Sequence, residues 1–129
     1  MNMKKREKAM RYFQEKLEFT LGPAELMHRF TDHDDVRVLD VRAEEDYRKG
    51  HIPGAISVPK DRWDMYMGLS TTGRNVVYCY SQPCHLAAEA CLHFAAKGFH
   101  MMELEGGMEG WRQFGYEVEG GVTGVANAA

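Results

Sequence analysis

Four short apolar runs, "VRVLDV" (36–41), "AISV" (55–58), "NVVYCY" (75–80) and "HMMEL" (100–104), are separated by segments of helical character: "AEEDYRKG" (43–50), "DRWDMYM" (61–67) and "LAAEACLHFAAKG" (86–98). A further helical segment, "GMEGWRQFG" (107–115), closes the series. A strand with one wet face alternates apolar and polar residues, whereas these Val-rich runs do not, which is the pattern of strands covered on both sides. Strands of that kind alternating with helices predict an α/β fold around a mostly parallel sheet. Gly50, Gly98 and Gly115 each follow a helical segment and are expected to end it in a left-handed conformation. Pro53 and Gly54 set a turn before the run at 55–58.

At 129 residues the chain suffices for one domain and is short for two. Its 44% hydrophobic and 27% charged residues are those of a globular protein. The first 18 residues predict an amphipathic helix able to lie on the body, because Met10, Phe13 and Leu17 recur at helical spacing among mixed charges. The net charge of -3 gives no case for nucleic acid. No apolar run is long enough for a bilayer, and the basic start is not followed by the apolar segment of a secretory signal, so no membrane partner and a cytoplasmic location are expected. Three cysteines are too few for a disulfide scaffold, and reduced thiols are expected. The stretch "GGVTGVANAA" (120–129) reads as a flexible tail.

The chemistry concentrates in "CYSQPCH" (79–85), between the run ending at Tyr80 and the helix beginning near Leu86. Cys79 falls at the carboxyl end of a central strand, where open parallel sheets bind ligands. The first N–H groups of the following helix favour a thiolate there. Position alone leaves two readings open: a nucleophile, or a buried inert thiol. Cys91 shares a helix side with Ala87, Ala88, Phe94 and Ala95 and is expected in the core, while His85, Glu89, His93 and Lys97 form the wet side. Two helical turns, about 10 Å, separate Cys84 from Cys91 and rule out their pairing. Cys79 and Cys84 can meet if the loop curls. The spacing of Cys79, Cys84 and His85 fits no usual zinc pattern, so neither metal nor cofactor is expected.

The segments "VLDVRAEEDYRKGHIPGAISVP" (38–59), "VVYC" and "LEGGMEGW" (104–111) together resemble the rhodanese-like (thiosulfate sulfurtransferase) family over residues 19–119. The resemblance implies a three-layer α/β/α domain with the extra N-terminal helix outside it. It implies that Cys79 accepts a sulfane sulfur as a persulfide ringed by the amides of a loop containing Tyr80, Ser81, Gln82, Pro83 and His85. Asp40, Arg42, Glu45, His51 and Trp111 then read as scaffold around the site, and Gly106 and Gly107 as a tight entry to the Trp111 helix. The family loop commonly has arginines where this chain has Tyr80 and Cys84, which removes fixed positive charge for an anionic donor. Pro83 removes one backbone N–H. Loop length and the absent arginine argue against the related phosphatases.

The expected function is sulfur transfer: Cys79 attacks a small sulfane-sulfur donor, holds a persulfide and passes it to a thiol or protein acceptor, with Cys84 as a resolving thiol. Two alternatives stand beside it, a non-catalytic protein-binding module and a redox sensor built on Cys79 and Cys84.

Overall fold

The computed structural model describes residues 2–66 and 68–120. The region 121–129, which holds nearly all of the expected tail, and Met67 lie outside the described residues. Five strands, β1 (Thr20–Leu21), β2 (Val36–Asp40), β3 (Ile56–Ser57), β4 (Arg74–Tyr78) and β5 (Met101–Leu104), form one sheet in the order β1-β5-β4-β2-β3. Every pairing is parallel. The helices are α1 (Met3–Phe19), α2 (Pro23–Thr31), α3 (Glu44–Lys49), α4 (Leu86–Ala95) and α5 (Gly107–Gln113). The segment expected as a helix over 61–67 is a 3-10 helix over Lys60–Met65, ended by Tyr66 in the left-handed region.

Strand periodicity sorts the core into two layers. Val76 and Tyr78 of β4 point to a cluster with Leu26, Met108 and Trp111, contributed by α2 and α5. Val77 and the following Cys79 point the other way, into a cluster with Ala87, Ala90, Phe94 and Trp63 from α4 and the 3-10 helix. The fold is therefore the three-layer α/β/α arrangement. Its central strand, β4, ends one residue before Cys79, which places that residue at the carboxyl edge of the sheet.

Two expectations need correcting. Gly98 and Gly115 take positive φ as expected, but Gly50, at φ 168, is extended backbone that any residue adopts. Glycine is needed there for space: a Cβ would come within 2.8 Å of the Arg112 side chain and 2.9 Å of Val118. The second concerns α1. Its amphipathic pattern does form a helix, capped by the Asn2 side chain on the Lys5 N–H, but the apolar face is not laid on the body and no α1 residue is buried. Its carboxyl end leads straight into β1, and Lys16 there pairs with Glu105, just beyond β5, at 3.2 Å.

Candidate active site

The loop between β4 and α4 brings Cys79 and Cys84 side by side. The Cys84 N–H donates to Ser81 O at 3.1 Å, a turn that folds the second cysteine back over the first. The Cys79 thiol donates to Cys84 O at 3.4 Å. Amides converge on both sulfurs: those of Tyr80 and Ala87 on Cys79, those of Tyr80 and Leu86 on Cys84. Leu86 and Ala87 open α4, where the first N–H groups have no partner within the helix. Pro83, despite its missing N–H, takes nothing from this set.

The Tyr80 amide is aimed by a neighbouring helix. In a trans peptide the C=O and N–H point in opposite directions. Met108 N–H holds Cys79 O at 2.9 Å, and Glu109 N–H holds Tyr80 O at 3.0 Å, so the orphan donors of α5 turn the loop carbonyls away from the sulfurs. The Tyr80 N–H, in the same peptide unit as Cys79 O, is thereby directed inward. This approach needs Gly107, which has φ +58 and whose missing Cβ would lie 2.7 Å from Cys79 O. Gln82 adds a clamp from the loop side, its Oε1 accepting from Gly106 N–H at 2.5 Å.

The two thiols differ in environment. Cys79 is 2% exposed, and burial, reinforced by the adjoining Cys84, pushes its thiol up to about 11. Cys84 is half-buried. Burial pulls it upward too, but the adjoining Cys79 and the Leu86 and Tyr80 amides outweigh that and leave it below the ordinary thiol value. Burial thus disfavours an anion on Cys79, while amides of the loop and of the α4 terminus face both sulfurs and favour the better-solvated Cys84. Cys91, expected in the core, is half-buried on α4. Its thiol donates to Met102 O at 3.6 Å and is pushed up to about 12 by burial. Iodoacetamide is expected to label Cys84 first, with a rate midpoint below that of an ordinary thiol, and to spare Cys79 and Cys91 at neutral pH. Peptide mapping checks this, and labelling of Cys79 ahead of Cys84 would contradict it.

The scaffold residues fall into two groups. Asp40 and Arg42 form a buried pair, with Arg42 Nη2 2.7 Å from Asp40 Oδ2 and donating to Gly50 O at 2.6 Å. Tyr78 OH donates to Asp40 Oδ2 at 2.7 Å and accepts from Ile52 N–H. The Arg42 guanidinium lies 5.7 Å from the centre of the Tyr80 ring, and Tyr80 OH donates to Asp46 Oδ2 at 2.6 Å, so the residue in place of the first arginine ties the loop to α3. His51 and Glu45 stand apart from the loop. His51 stacks on Tyr47 at 3.8 Å and pairs through its backbone with Glu119, while the exposed Glu45 makes no side-chain hydrogen bond among the described residues. His85 is exposed at the α4 N-cap and does not cap it through its side chain.

Asp46 escaped the sequence, having no signal beyond its helix position. Gly106 and Gly107 take the positive φ expected of a tight entry to α5, but nothing in the chain tells that Gly107 faces the cysteine loop. Among the described residues, no three His, Cys, Asp or Glu side chains are grouped as a metal site would need.

The profile of the rhodanese-like domain family matches residues 22–114. A protein named HTH-type transcriptional regulator Rv0324, from Mycobacterium tuberculosis, is 35% identical over 99 residues, covering 76% of this chain and 43% of its own length. The chain thus spans less than half of that relative. A protein named sulfurtransferase, from Allochromatium vinosum, is 28% identical over 95 residues, 72% of this chain and 87% of that one. The crystal structure of the BH2092 protein from Bacillus halodurans superposes with a TM-score of 0.82 at 36% identity, covering 89% of this chain and 86% of its own. Residues 22–129 alone cannot fill that share, so the likeness reaches back into α1.

Proposed function

This chain belongs to the rhodanese-like domain family, and we propose that it is a sulfurtransferase in which Cys84 receives a sulfane sulfur and Cys79 holds it as a persulfide. The observation that carries this reading is the pair of adjoining thiols in one set of inward amides, with the more exposed one favoured as the anion. The relative named sulfurtransferase supports the reaction class.

Cys84 thiolate attacks the outer sulfur of a donor R–S–SH. The S–S bond breaks, RS⁻ leaves and takes a proton from solvent, and Cys84 becomes a persulfide. The Cys79 sulfur then attacks that outer sulfur while its proton passes to the departing Cys84 thiolate, so the persulfide moves inward and Cys84 is restored as a thiol. An acceptor thiolate removes the sulfur from Cys79 in the same way. The loop has no lysine or arginine and Glu89 opposes a charge on Cys84, so a donor of lower charge, an organic persulfide or organic polysulfide, suits the site better than thiosulfate.

Treatment with a cysteine persulfide, followed by weighing the protein and mapping its peptides, tests this. The parent chain is expected to gain one sulfur on Cys79, Cys79→Ser to retain it on Cys84, and Cys84→Ser to react at least tenfold more slowly. Absence of an adduct on either cysteine would refute transfer and leave the binding-module reading. A reversible Cys79–Cys84 disulfide formed with no persulfide would point to the redox sensor.

A further inference from the structure

A helix of 17 residues with none buried has nothing to hold its apolar face, since helix stability in proteins comes chiefly from packing that face. In α1 that face is continuous: Met3, Met10, Phe13 and Leu17 fall along one stripe with Arg6 in line, and are 70%, 52%, 59% and 79% exposed. Beside the carboxyl end of α1 lies a groove of about 320 Å³ between α4 and β5, lined by Phe19, Cys91, Leu92, Ala95, Phe99 and Glu103. Leu92 on its wall is 74% exposed. Glu103 is half-buried, and no described residue forms an ion pair with it.

We propose that two copies of this chain associate reciprocally, each laying the Met3–Met10–Phe13–Leu17 stripe of α1 into the partner's α4–β5 groove, with Arg6 brought to Glu103. Charge favours this occupant. Helix α1 carries six basic and three acidic residues within a chain of net charge -3, which leaves the remainder of each copy more acidic than the whole by the helix's excess. A basic helix on an acidic body is complementary between copies, and the unpaired carboxylate in the groove meets the cation in the stripe.

Sedimentation velocity on the full chain at micromolar concentration tests the proposal. A dimer is expected. Arg6→Glu and Glu103→Arg are each expected to weaken it at least tenfold, and the two charge reversals combined to recover most of the loss. Should Glu103→Arg disturb folding, Leu92→Asp probes the same groove from an exposed side chain and is expected to give a monomer with unchanged thermal stability at low concentration. A monomeric parent chain would overturn the proposal, as would failure of the double reversal to recover association. Binding of a monomer to anionic phospholipid vesicles through α1 would overturn it in favour of a lipid surface.

Discussion

Replacing Gly107 by alanine is expected to destabilise the protein by about 3–4 kcal/mol, lower its Tm by about 10 °C, and slow alkylation of Cys84 at neutral pH. Two effects combine. The residue has φ +58, where a side chain costs about 1–2 kcal/mol. The added Cβ would also meet Cys79 O at 2.7 Å, Ser81 N at 2.8 Å and the Tyr80 carbonyl carbon at 2.9 Å, all backbone atoms of the loop. Relief requires the loop to move off α5, which loosens the bonds from Met108 and Glu109 and rotates the Tyr80 amide away from the sulfurs. Gly115→Ala is the control: its φ is +76 and a Cβ there meets nothing within 4 Å. It is expected to show only the conformational cost and normal Cys84 reactivity. Equal effects from the two substitutions would mean that the approach of α5 to the loop has no role.

Arg42→Met is expected to cost about 3–5 kcal/mol, since the substitution strands a carboxylate that is 0% exposed. Asp40 would keep the Tyr78 hydroxyl and one backbone N–H as partners, but no positive charge, and Gly50 O would lose its donor. The remedy available to the folded variant is to protonate Asp40. Its carboxyl pKa would then lie above the unfolded value, so the variant binds more protons folded than unfolded and loses stability as pH rises. The gap between variant and parent should therefore be widest near neutrality and narrow as pH falls toward the ordinary carboxylate value of about 4. Urea unfolding at several pH values measures this, and a gap independent of pH would show that the carboxylate is not what the arginine protects. Combining Arg42→Met with Asp40→Leu should recover part of the loss, because an apolar pair needs no counter-charge.

The sheet was legible because burial on both faces leaves its mark in consecutive residues: the run at 36–41 contains β2, the run at 75–80 overlaps β4 in all but Arg74, and Cys79 follows the end of that strand. Register of that kind is local. The unequal burial of the two cysteines was not legible, since it depends on which sulfur the loop leaves nearer to solvent, and the Ser81–Cys84 turn decides that. Gly50 misled for a related reason. A glycine after a helix suggests a left-handed cap, while here the constraint comes from Arg112 and Val118, more than sixty positions away. The apolar stripe of α1 was read correctly as a stripe, but a periodicity does not name the surface it meets.

The amides that face the sulfurs belong to the main chain, and one of them is aimed by α5 rather than by anything within the loop. The side chains of Ser81 and Pro83 can therefore be exchanged without altering the field at the sulfurs, provided the turn survives, whereas Gln82 also clamps Gly106. On the proposed sulfur transfer, choice of the incoming molecule and grip on the transferred atom become separate properties of the scaffold.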